Sequence, residues 1–98
     1  MMMEEEYQYH NLLSLWQGGW MSVNGNPDIY IFQGYDSNYC LLAYSYDKEY
    51  GRGTFSCYEI EADEGGSYIR MGMKLCRMEP EESPYGLHIS GWGSYMKN

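Results

Sequence analysis

The sequence predicts an all-β fold: a small antiparallel meander of six to seven strands closing into a barrel or half-barrel, with a short N-terminal helix. Three observations predict it. Apolar residues fall three and four apart before Gly18, then alternate with a period of two after Gly19. Turn-forming stretches (NGNPD, GYDSN, DKEYGRG and DEGG) interrupt that alternation at short intervals. The chain is also rich in tyrosine, with 12 in 98 residues, and tyrosine suits half-buried pleated surfaces.

A chain of this length makes one domain with a thin stability margin. Residues 1–6 read as a frayed N-terminus and residues 7–98 as a single β domain. A hydrophobic content of 44% argues against disorder.

Each element has a local reason. Tyr9, Leu12, Leu13 and Trp16 share a helical spacing. Glu4, Glu5 and Glu6 suit the positive N-terminal end of that helix, and Gly18-Gly19 ends it. The expected strands then run Trp20–Val23, Ile29–Gln33, Tyr39–Tyr46, Thr54–Ala62, Tyr68–Arg77 and Leu87–Met96, the last divisible at Gly91 and Gly93. Short connections favour antiparallel pairing of neighbours. Along Tyr68–Arg77, Ile69, Met71, Met73 and Leu75 share one face. Tyr39–Tyr46 is apolar on both faces, as a central or doubly covered strand would be. One candidate cover is the amphipathic N-terminal segment.

Composition narrows function and compartment. Fourteen acidic residues against six basic ones leave a net charge of −8, which disfavours nucleic acid and anionic membrane surfaces as partners. No stretch resembles a signal peptide or a membrane helix. Cys40, Cys57 and Cys76 are odd in number and widely spaced, which suits reduced thiols in the cytoplasm.

The stretch Gly18-Gly19-Trp20, at the junction of helix and first strand, resembles the G-x-W opening of the lipocalin and calycin barrels. That resemblance implies a lipocalin-like barrel. A short helix would close its floor, with the Trp packed near it and a basic side chain from the last strand over the indole. Lys97 is the residue that could take that place. The chain is shorter than lipocalins and lacks their T-D-Y-type turn. GGWMSVNGNPDIYIF and LHISGWGSYMKN also resemble a small uncharacterised bacterial family carried on mobile elements of gut anaerobes. This likeness touches about half the chain and implies no activity.

Candidate chemistry is sparse. Cys57 or Cys76 could meet His88 across the sheet, but no catalytic signature surrounds them. Glu59, Glu61, Asp63 and Glu64 read as a solvated face rather than an acid–base pair. No metal-ligand spacing and no cofactor motif is present. The expected function is therefore a non-enzymatic binding or protein-interaction module. Its contact face would be Tyr35, Tyr46, Tyr50 and Tyr85, its acidic surface, or an exposed strand edge completed by a protein partner or a second copy as a homodimer. The acidity also admits a decoy that imitates a phosphate backbone. The alternative is a carrier of a small apolar ligand in the calycin manner, held among Trp20, Phe32, Tyr44, Met71 and Met73 if the interior has a cavity. In a barrel of six or seven strands these side chains would fill most of the space, leaving at most a shallow cleft at one mouth.

Overall fold

The computed structural model describes residues 13–81 and 86–98. Residues 13–15 are helical, and the turn tightens at its end, where Trp16 N donates to Leu13 O at 3.1 Å. Nine strands follow among the described residues: β1 (Gly18–Ser22), β2 (Asp28–Gln33), β3 (Tyr39–Asp47), β4 (Arg52–Glu59), β5 (Glu61–Asp63), β6 (Gly66–Met71), β7 (Lys74–Pro80), β8 (Gly86–Ile89) and β9 (Gly93–Lys97). All ladders are antiparallel, in the order β4-β3-β2-β1-β9-β8-β7-β6-β5.

The two ends of that order are covalently continuous. β4 pairs with β3, β5 pairs with β6, and only Ile60 separates β4 from β5. The buried Ile60 marks the bend, and its N–H donates to Tyr39 O at 2.8 Å. One bent strand thus serves both edges and draws the sheet into a nearly closed barrel, the corner device of strands that change partners.

The strand number corrects the expected six to seven. Three of the expected strands each divide in two. Thr54–Ala62 bends at Ile60, and Leu87–Met96 turns through residues 90–92. Tyr68–Arg77 folds back at Gly72-Met73, where Met71 pairs with Lys74 across a two-residue loop. Gly72 has φ +64°, the backbone that a tight hairpin requires at its first central position. This turn was hidden because MGMK carries a single glycine inside an otherwise regular alternation.

The missed hairpin also reverses facing. Downstream of it the inward residues are Cys76 and Met78, whereas Leu75 pairs with Arg70 on the outer face. A turn inserted into an alternating run shifts every later side chain to the other side. Ile69 faces in as expected, and Met73 stands fully exposed at the loop tip.

The interior is filled by Trp16, Trp20, Ile31, Leu41, Ile69, Leu87, Ile89 and Tyr95, all nearly inaccessible to solvent. At the floor, Trp20 Nε1 donates to Trp16 O at 2.8 Å, which fixes the helical turn against β1. Lys97 Nζ lies 5.0 Å from the centroid of the Trp20 ring. It also donates to Leu15 O at 3.1 Å and to Gln17 O, so the last strand clamps the carbonyls at the helix end. Burial draws the Lys97 ammonium below its ordinary pKa.

Candidate functional site

The turns of a meander alternate between its ends. The lead-in helix, the β2–β3 turn, the β5–β6 turn and the C-terminus lie at the floor. The β1–β2 loop and the β3–β4, β6–β7 and β8–β9 turns lie at the mouth. Beyond the mouth, β3 and β4 continue as a two-stranded arm, and every residue from 44 to 57 is exposed.

The arm arises from a phase change in the sequence. Tyr39, Leu41 and Ala43 face the core. Past Ala43 the inward positions become polar, with Ser45 opposite Thr54, while Tyr44 and Tyr46 turn outward. β4 mirrors this, with Tyr58 facing in and Phe55 and Cys57 facing out. β3 lies between β2 and β4, as the central-strand alternative expected, while its outer face is half-buried at Cys40 and Leu42 and exposed from Tyr44 onward, so double cover does not extend along the strand. The suggested N-terminal cover lies largely outside the described residues.

Local packing holds the arm in shape. Tyr44 tilts against Phe55 with ring centroids 4.9 Å apart. The Tyr44 ring also lies across Gly53, where a Cβ would fall 2.5 Å from the Tyr44 hydroxyl, so a side chain at that position would push the exposed ring aside. At the tip, Asp47 Oδ1 accepts from Glu49 N at 2.9 Å and closes the turn. β4 ends the sheet order, so along the arm its second edge has no ladder partner among the described residues.

A cleft of about 230 Å³ opens at the mouth, beneath the base of the arm. Ala43, Ser56, Tyr58, Met71 and Trp92 line it, together with the β1–β2 loop. Tyr58 meets Trp92 edge to face at 5.6 Å. The loop positions Trp92 through Asn26, whose Nδ2 donates to Trp92 O, while Asn24 Oδ1 accepts from Ser94 N at 2.7 Å. Trp92 Nε1 is buried and has no hydrogen-bond partner among the described residues.

The expected site residues disperse. Tyr46 and Tyr50 stand together on the arm, but Tyr35 occupies the floor-side β2–β3 turn, at the other end of the barrel. Tyr85 lies outside the described residues. Of the expected interior set, only Trp20 is in the core. Phe32 and Tyr44 belong to the outer face by strand parity, Met71 borders the cleft, and Met73 is exposed. Phe55, Tyr58 and Trp92 were not singled out, although Phe55 stands opposite Tyr44 once the DKEYGRG turn is closed.

The titratable groups are largely engaged in structure. Cys76 faces the core, whereas His88 points outward to Ser94 Oγ and Glu81 Oε1, each 3.3 Å from Nδ1. Ser94 Oγ donates to Glu81 at 2.6 Å. Both oxygens therefore approach the same ring nitrogen, and serine and carboxylate are not separated across the imidazole as a relay requires. Burial first, then the neighbouring Cys57, pushes the Cys40 thiol up and disfavours its thiolate. Glu61 pairs with Arg70 at 3.1 Å. Arg77 bonds Asp63 at 2.6 Å and, with Gly65 N, holds that carboxyl below the usual range. No group of three or more His, Cys, Asp or Glu converges as metal ligands among the described residues. No helix among them is long and apolar enough to cross a membrane.

Searches of curated proteins and of solved structures each found no match to this chain. Residues 3–97 match the family model described as "Domain of unknown function, B. Theta Gene description (DUF3876)", and the chain belongs to that family.

Proposed function

We propose that this protein is a non-enzymatic, cytoplasmic binding module that engages another protein surface through its β3–β4 arm. One observation carries the reading: residues 44–57 are exposed throughout, yet Tyr44, Tyr46, Tyr50 and Phe55 all lie among them. A two-stranded ribbon is marginal in water, and exposed rings gain little until something covers them. Tyrosine offers rigid, amphipathic contact area at low entropic cost. The three free cysteines support a reducing compartment, and the net charge of −8 supports a partner other than nucleic acid.

A photoreactive residue in place of Tyr46 tests this in cells expressing the chain, with the same residue in place of exposed Lys74 as control. Discrete adducts from position 46 and none from position 74 are expected. Equal labelling at the two positions, or none at position 46, overturns the reading.

The mouth cleft favours a second reading, a small apolar ligand held between Tyr58 and Trp92 in a lipocalin-like barrel. Lys97 over Trp20 supports that kinship. At about 230 Å³ the cleft is smaller than the ~300 Å³ at which ligand pockets usually begin, which places this reading second. A saturable shift of the Trp92 indole N–H resonance on adding benzyl alcohol is expected on this reading. Its absence removes it.

A further inference from the structure

We propose that Cys40 and Cys57 form a reversible redox site, a pair of neighbouring thiols on the outer face of β3 and β4 that a low-molecular-weight disulfide converts into an intramolecular bridge. The chemistry of this site is independent of what the arm contacts.

The ladder register brings the two residues together. β3 and β4 pair antiparallel, with Leu42 opposite Cys57 and Cys40 opposite Glu59. Cys40 and Cys57 are therefore diagonal neighbours, and strand parity puts both on the outer face. The right-handed twist of a strand pair draws one diagonal in. Here the two thiols stand within hydrogen-bond reach of each other. Their wide spacing along the chain hides this, because the DKEYGRG turn lies between them.

The two sulfurs differ in their surroundings. Cys57 is exposed and Cys40 is half-buried. Asp36 and Glu59 flank Cys40, joined by Asn38 Nδ2, which donates to Asp36 Oδ2 and to Glu59 Oε1 at 3.1 Å each. Burial first, then Cys57, then those two carboxylates push the Cys40 thiol up. Cys57 is thus the sulfur that a dissolved oxidant meets first, and Cys40 is the one that resolves. Cys76 takes no part, because it is 1% exposed and faces the core opposite Ile69.

Two exchanges complete the reaction. The Cys57 thiolate attacks one sulfur of the small disulfide. That S–S bond breaks, one small thiolate leaves, and Cys57 holds the other half as a mixed disulfide. The Cys57 thiol then no longer opposes ionisation of Cys40. The Cys40 thiolate attacks the Cys57 sulfur, the mixed bond breaks, and the second small thiolate leaves. The two cysteine sulfurs lose two electrons and two protons, and the small disulfide becomes two thiols. The second exchange is intramolecular, so it outruns the encounter with another oxidant molecule. A bridge with an exposed sulfur is the reducible kind, which fits a transient state in a reducing compartment.

Cystamine, a cationic small disulfide suited to an acidic chain, tests this on the folded protein. Intact mass and a non-reducing tryptic digest are the readouts, with circular dichroism confirming that each variant keeps its fold. Cleavage after Lys48, Arg52, Arg70, Lys74 and Arg77 puts Cys40, Cys57 and Cys76 on separate peptides. The unaltered chain is expected to end with no cysteamine retained and the Cys40 and Cys57 peptides joined, and dithiothreitol to separate them. Cys40→Ser is expected to retain one cysteamine at position 57. Cys57→Ser is expected to form no bridge. An unaltered chain that retains cysteamine at Cys57 as fully as Cys40→Ser does overturns the proposal. So does a bridge that includes Cys76, or a chain that does not react. Each of these results is separate from crosslinking at position 46, so either reading can fail while the other stands.

Discussion

Inside the barrel Trp16, Trp20 and Tyr95 keep at most 2% of their surface, whereas on the arm Tyr44, Tyr46 and Phe55 keep 41%, 55% and 65%. Both regions are built from alternating strands rich in aromatic residues. They differ in what lies over the rings. In the barrel these rings are covered by facing strands or by the helical turn, and the polar tips of Trp20 and Tyr95 have partners. Trp20 Nε1 reaches Trp16 O, and the Tyr95 hydroxyl reaches Pro27 O at 3.3 Å. On the arm, the rings have neighbours within their own sheet and solvent above. Aromatic content alone therefore does not separate a core from a contact surface. The number of covered sides does, because hydrophobic stabilisation follows the area removed from water.

The strongest check on that contrast is Trp20→Ala. It empties the floor between helix and β1 and leaves Lys97 without its ring. A loss of about 3–5 kcal/mol is expected from equilibrium denaturation, in line with large-to-small core changes. A loss below about 1 kcal/mol would mean that the floor is not where stability concentrates.

A smaller effect is expected from alkali. Burial raises the Tyr95 hydroxyl from 10.0 to about 12. A folded-state value above the unfolded one favours the folded state fully while the phenol is neutral in both, below pH 10.0. That stability is lost as pH rises toward about 12. Unfolding midpoints should therefore fall across this window. Tyr95→Phe should flatten the fall, at the cost of one hydroxyl bond to Pro27 O.

The smallest effect on folding is expected on the arm. Tyr44→Thr with Phe55→Thr keeps strand propensity and removes two exposed rings. At dilutions where the chain is monomeric, stability should change by less than about 1 kcal/mol. A loss comparable to Trp20→Ala would make the arm part of the core and erase the contrast.

Much of this fold was legible because a local pattern reported it directly. The change of period at Gly18-Gly19 marked the end of the helix, and Gly91 and Gly93 marked a break in the last strand. The hairpin at Gly72 was not legible, since one glycine within MGMK is also compatible with a continuous strand. That single omission reversed the predicted facing of Leu75 and hid Cys76 as a core residue. The candidate site was less legible still. Tyr46 and Tyr50 were found through their loop context, but Tyr35 follows the same rule and ends at the opposite end of the barrel.

The sequence by itself determined the antiparallel class, the helical lead-in, the acidic character and most turn positions. These depend on neighbours within a few residues, through side-chain spacing and backbone preference. Only the tertiary structure decided that one strand bends at Ile60 to serve both sheet edges, that Trp92 meets Tyr58 at the mouth, and that β3 and β4 outrun the barrel. Those outcomes depend on which distant segments lie against each other. Alternation states that a side chain has two faces to choose from, and the rest of the chain decides which face is covered.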